Sequence, residues 1–394
     1  MLAGLPPEAQ LGCLLCRAAV PDAVAESARS LVRSGVDWER FLAFAADQGI
    51  YGLLDRHASQ SLADLFPPDV RKRLRASAAV NARMADELAV ELAAVLDLLD
   101  SAGIVAVPFK GPVLIRQIWG DYRLGVYLDL DLLVKPGDAR RAAEVLSRRG
   151  YVGAQARVGL LPAWMGGRDR LELLSPGGRS GYPLRLDLHT RAVPDWIGHP
   201  GRADHFREHL QRGEFLGAAT WQLPDDWNLT FVALHALGHL FESLRWVAGL
   251  HGLLEACPQA WPAARQRAEE IGAGREILLS RRVCERILDA ECADPAGAEP
   301  LVARLAEGPF RPEHSLLERH RLQLALRRTA AAKIAYVLSG IFEPRLSDVR
   351  ALRLPPLLSP LYFVLRPIRL MAKYFIGFPL KAARQLFRRP SHLA

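Results

Sequence analysis

Hydrophobic and polar positions change their period twice along this 394-residue chain. From about Pro7 to Ser101 apolar residues recur every three to four positions, as in Leu88, Leu92, Val95, Leu96 and Leu99, and predict an all-helical stretch. Pro67-Pro68 divides it, because proline removes a backbone donor and restricts the residue before it. From Gly103 to about Asp226 the period shortens to two, with Gly and Pro at the breaks. Ile104 to Gly111 reads as a strand ending in a close turn, Tyr151-Val152 as the start of another strand, and Gly166-Gly167 and Gly177 to Gly181 as hairpin connections. Asp138, after the Pro136-Gly137 turn, is placed to cap a helix running to Arg149. Helical spacing returns with Leu229, Val232, Ala233, Ala236, Leu237, Leu240, Leu244 and Val247, behind a cap at Asp225 or Asp226. The expected organisation is a helical unit over 1–102, a mixed core over 103–225, a second helical unit over 226–340, and a proline-rich crossing segment with a basic amphipathic tail over 341–394.

Within the core, Tyr127 to Val134 alternates carboxylates with apolar residues. Successive side chains of a strand point to opposite faces, so Leu128, Leu130, Leu132 and Val134 can enter a core while Asp129 and Asp131 project together. Two acids at that spacing repel unless a cation sits between them, which suits a divalent metal. A solvated strand face is the plainer explanation. Downstream, Leu184 to His189 repeats the alternation and supplies a third acid, Asp187, which a surface pair with Arg185 would equally explain.

Taken in order, Lys110-Gly111, Asp129-Leu130-Asp131 and Asp187-Leu188-His189 resemble the uncharacterised bacterial nucleotidyltransferase family of the DNA polymerase β-like superfamily. The His-bearing segment His235 to Trp246, read as one helix, and Tyr362-x-x-x-Arg366-Pro367 resemble further elements of that family. The resemblance implies an α+β fold, with a polymerase β-like core of mixed sheet and flanking helices between two helical units. It also implies Mg2+-dependent transfer of a nucleoside monophosphate from a nucleoside triphosphate co-substrate to a hydroxyl or similar acceptor. Such chemistry needs two ions about 4 Å apart to neutralise the attacking and leaving oxygens, and carboxylates are the hard ligands magnesium prefers. Asp129, Asp131 and Asp187 are the expected metal ligands and catalytic residues. Lys110 and Gly111 are expected at the triphosphate, a point charge and a close backbone approach, with Pro112 opening a helix whose amides face phosphate. Arg123, His189, His235, His239 and Arg245 are further candidates for binding nucleotide, each also explicable as an ordinary structural or surface residue. Relatives carry an arginine where Gly125 stands and an acid where Gly249 stands, which puts part of the nucleotide or acceptor contact in doubt.

Composition changes the picture little, with half the residues apolar and about a quarter charged. Cys13-x-x-Cys16 has no second pair at metal-site spacing among Cys257, Cys284 and Cys292, so buried thiols in a reducing cytoplasm are expected. His235 and His239 stand at a zinc-pair spacing, but Ala236 occupies the place of the glutamate in H-E-x-x-H, which argues against a metalloprotease. No basic segment leads into an apolar N-terminal run and no uncharged apolar run spans a bilayer, so a cytoplasmic protein is expected. The formal charge of +8 comes almost wholly from residues 360–394, with seven basic residues and no acid. A nearly neutral remainder favours a small molecule, peptide or protein acceptor over long nucleic acid. The tail suits an anionic membrane surface or acidic partner, or else docks its apolar side on the protein and leaves its charges in water. An inactive transferase scaffold that assembles partners, or phosphoryl transfer from the same site, are the alternative functions.

Overall fold

The computed structural model describes residues 4–153, 170–178, 181–193, 197, 204–288, 300–311, 316–344 and 346–373. Gly166-Gly167, Cys292 and the tail beyond residue 373 lie outside them. The chain is a mixed α+β protein whose contacts divide into two compact units, Met1–Tyr151 with Asp169–Leu326, and Val152–Arg168 with Arg327–Ala394.

The first unit opens with helices α1 (Pro7–Leu15), α2 (Asp22–Ser34), α3 (Trp38–Gln48) and α4 (Tyr51–Ser59), followed by the 34-residue α5 (Pro68–Ser101). The proline pair divides the helical stretch as expected, and Pro68 sits in the first turn of α5, where its missing N–H costs nothing. Cys13 and Cys16 are buried free thiols. Burial pushes both upward, Cys16 to about 12, so neither offers the thiolate that zinc requires.

The sheet is built from β1 (Val107–Pro108), β2 (Asp129–Leu133), β4 (Arg170–Leu174) and β5 (Arg185–His189); the short β3 (Val152–Gly153) groups with the second unit. In the first unit the order is β1-β2-β5-β4. β2 and β5 are parallel, with Asp129 beside Arg185 and Asp131 beside Asp187, while β1 and β4 run antiparallel to them at either side. The β4–β5 connection is the predicted hairpin, closed by Gly178 N–H donating to the Tyr182 carbonyl at 2.9 Å. Leu130, Leu132, Leu186 and Leu188 pack with Leu88, Leu92, Val95, Leu96 and Leu99 of α5 and with Ala142, Val145 and Leu146 of α7 (Ala139–Arg148). One face of the sheet is thus sealed by two helices, which leaves the acidic face for chemistry. Leu128 is a correction: strand β2 begins only at Asp129, and Leu128 is 64% exposed rather than in the core. Asp138 does stand before α7, but its side chain makes no capping bond.

Between β1 and β2 lies α6 (Gly111–Trp119); after β5 comes a hairpin of β6 (Gln211–Phe215) and β7 (Ala218–Gln222). Helices α8 (Asp225–Gly238), α9 (Leu244–Ala256), α10 (Trp261–Glu270), α11 (Gly274–Leu288), α12 (Pro300–Ala306) and α13 (Leu316–Leu326) complete the unit. Asp225 begins α8 itself, behind Pro224, and neither acid supplies the expected cap. The segment His235 to Trp246 is not one helix. It breaks after Gly238, where Leu240 and Phe241 take positive φ of 55° and 52°, and restarts at Leu244 with the Ser243 hydroxyl accepting from Arg245 N–H.

The second unit contains α14 (Ala330–Phe342), α15 (Leu346–Ala351) and α16 (Tyr362–Met371), so the expected crossing segment is partly helical. Tyr362 and Arg366 are its fasteners. The Tyr362 hydroxyl accepts from Leu354 N–H at 2.9 Å and donates to the Leu352 carbonyl at 2.6 Å. Arg366 donates to the Gly340 carbonyl at 2.8 Å and forms a buried ion pair with Asp348 at 2.7 Å. In the described part of the tail Tyr362 and Arg366 are buried while Val364 and Ile368 are exposed.

Candidate functional site

Parallel pairing of β2 with β5 decides the site. It sets Asp131 and Asp187 directly opposite each other on neighbouring strands, with His189 two residues on along the same face. Asp187 is fully buried and Asp131 is 10% exposed at its side chain. One ligand atom from each of Asp131, Asp187 and His189 lies within 4.8 Å of the others. The Asp131 Oδ1 is 3.0 Å from the Lys110 ammonium and 2.6 Å from His189 Nε2. Burial pushes the Asp131 carboxyl upward, but Lys110 and His189 outweigh it and hold the group well below the ordinary carboxylate range.

Lys110 is positioned by the turn between β1 and α6. Gly111 has φ +64°, a left-handed conformation that glycine takes without penalty, and Pro112 follows in the first turn of the helix. The free amides of α6 therefore begin beside the Lys110–Asp131 pair. Phe109 completes the corner: its ring meets His189 edge-on at 5.2 Å, and the Lys110 ammonium lies 4.6 Å from its centre. Sequence reasoning did not select Phe109, since an aromatic ending a strand ordinarily signals core.

His235 and His239 converge although α8 ends between them. Their rings are 4.6 Å apart, and both meet Trp246, with His239 stacked on it at 4.7 Å. Burial lowers both histidines, and the Lys110 charge lowers them further, His239 to about 4. Both are neutral at pH 7, and Asp131 acts on both in the opposite sense, which places the pair within electrostatic reach of the carboxylates. Arg245 lies over the Trp246 ring at 4.8 Å, and its Nε is buried without a hydrogen-bond partner. Burial lowers Arg245 and the Asp129 charge opposes that.

Two of the sequence candidates are engaged elsewhere. Asp129 accepts a hydrogen bond from Arg185, the residue opposite it in the β2–β5 ladder, whereas Asp131, two pairs further along, stands opposite Asp187. Arg123 pairs with Asp86 at 2.7 Å and lies over Tyr122. Gly125 is packed against Ile115, and its carbonyl accepts from Asn81 at 2.8 Å. At Gly249, by contrast, a Cβ would meet nothing within 4 Å.

The model of a family described as uncharacterised nucleotidyltransferases matches residues 34–289, about two-thirds of the chain. The chain belongs to that family. The matched span of this nucleotidyltransferase-family protein contains every element of the site, from Lys110 through the two acidic strands to Arg245. No curated protein and no solved structure matches the chain.

Proposed function

We propose that this protein transfers a nucleoside monophosphate from a nucleoside triphosphate to a hydroxyl or similar group on a small molecule, peptide or protein, with a divalent metal, Mg2+ foremost, held by Asp131 and Asp187. The observation that carries the reading is the in-register approach of those two carboxylates beside His189, Lys110 and the start of α6. The donor set fits a divalent ion. Two largely buried carboxylates favour a hard cation, and the imidazole adds a ligand that Mn2+ or Zn2+ would accept more readily than Mg2+. When bound, the metal would polarise the triphosphate and make the acceptor oxygen easier to deprotonate.

The chain's own residues supply positioning and charge. Lys110 and the α6 amides face the phosphates, and the lone Nε of Arg245 has a donor to give them. Neutral His235 and His239 stand within electrostatic reach of Lys110 and Asp131 without adding charge, and His189 orients Asp131. Asp129 would serve a second ion only after giving up Arg185. Family resemblance to polymerase β-like enzymes supports the same assignment of roles.

A binding scaffold without catalysis is the second reading, and one observation favours it: Asp129 and Asp131 each already have a cationic side chain as partner. Calorimetric titration with Mg2+ and Mn2+, of wild type and of D131N and D187N, separates the two. Incubation with α-labelled triphosphates and cell extract, read by mass spectrometry, then tests transfer itself. Metal binding that ignores both substitutions, together with no nucleotide-sized adduct, would overturn the enzymatic reading.

A further inference from the structure

Helix α14 is the anomaly of the second unit. Its sequence, from Ala330 to Phe342, carries a single charge at Lys333, yet not one of its residues is buried. Ile334, Val337, Leu338, Ile341 and Phe342 recur at helical spacing on one side, and each is between 37% and 58% exposed. The neighbouring α16 repeats the arrangement: Val364, Ile368 and Met371, with Leu361 at its N-cap, form a second exposed stripe at similar spacing. Its other side is occupied by the buried Arg366–Asp348 pair. Two packed helices thus present apolar stripes to water over an area where a soluble surface ordinarily carries charge.

The charge of the same region names the occupant. Residues 327–394 hold thirteen of the 51 basic residues and two of the 43 acidic ones, which leaves 38 basic against 41 acidic in the first 326. One of the two acids, Asp348, is neutralised within the unit by Arg366 and Arg369, while Arg328, Lys333, Arg353 and Lys373 are exposed. Apolar stripes bordered by cations match an anionic lipid surface, where the side chains enter the acyl boundary and the cations meet headgroups. At 13 and 10 residues these helices cannot cross a bilayer, and no helix among the described residues is long and apolar enough to do so.

We propose that the second unit binds the surface of an anionic membrane through the exposed faces of α14 and α16. The full chain should sediment with phosphatidylglycerol-containing phosphatidylcholine vesicles and much less with phosphatidylcholine alone, and salt should weaken the binding. The combined variant V337S, I341S, V364S, I368S should lose at least about tenfold in partitioning, since burial of these side chains supplies the non-electrostatic part. Because all four are exposed, its melting temperature and triphosphate binding should stay at the wild-type values. Equal sedimentation of variant and wild type, or none with either vesicle, overturns the proposal. So does a stable wild-type dimer that the variant abolishes, or tight binding of soluble polyglutamate that the variant retains.

Discussion

Asp187 is the side chain at which burial and chemistry meet most sharply. A carboxylate with no exposed surface, set opposite Asp131 on a parallel neighbour, is costly to keep charged without a cation close by. If that cation is a metal, D187N and D131N should each lower nucleotide transfer at least about 100-fold in kcat/KM, whereas H189A, through loss of orientation, should cost about 10- to 100-fold. Steady-state kinetics with the identified acceptor checks both values, and wild-type rates in D187N would remove Asp187 from the site. His239 gives a prediction of the opposite kind. Its folded value is about 4 against about 6.5 in an unfolded chain, so the unfolded state takes up the proton first. The stability this group contributes is complete above about pH 6.5 and is lost as the pH falls towards 4, with His235 acting in the same sense. The loss from His239 should approach about 3 kcal/mol. Urea midpoints between pH 7 and 4.5 measure it, and H239L should flatten the slope.

Among the elements, glycines record where helices and turns close on one another around the site. A Cβ at Gly52 of α4 would stand 2.4 Å from the Leu124 carbonyl oxygen, a backbone atom that cannot rotate away. G52A should therefore destabilise by about 1–3 kcal/mol and loosen the turn before β2. At Gly125 a Cβ would come 2.6 Å from Ile115 Cγ1, so an arginine introduced by G125R should also destabilise rather than strengthen nucleotide binding. Thermal melts with and without triphosphate distinguish the outcomes; a stabilised, tighter-binding G125R would show that Ile115 yields. The same scale explains the broken histidine helix. Periodicity continued through Leu240 and Leu244, but the left-handed residues Leu240 and Phe241 turn the chain so that Trp246 comes back over His235 and His239. A continuous helix would have spaced His239 and Trp246 about two turns apart.

For the molecule as a whole, contacts gather into two units of unlike charge and core. The larger holds the site and the apolar cores; the smaller depends on Asp348, which Arg366 and Arg369 both neutralise. R366A leaves that acid buried with one partner fewer and should destabilise the second unit by about 3 kcal/mol. Because the metal and nucleotide candidates belong to the first unit, metal affinity should be unchanged in R366A. A calorimetric scan should then show an early transition apart from the main one, and a single transition lowered as a whole would show that the two units unfold together.

The alternation of β2 and β5, the proline break ahead of α5 and the Lys110-Gly111 turn were legible in the chain because they depend on residues within a few positions of one another. Strand period, proline geometry and glycine's freedom are local properties, and they sufficed to select both acidic segments and the family. Which acids meet was not local. Asp129 and Asp131 share a strand face and look equivalent in sequence, but the parallel register assigns Arg185 to the first and Asp187 to the second, a choice made by strands 56 residues apart. Phe109 at His189, Trp246 over the histidines, and the burial of Arg366 in place of its apolar neighbours likewise arise from packing between distant segments. Local periodicity can say that a side chain lies on a face, but only tertiary contacts decide what that face meets.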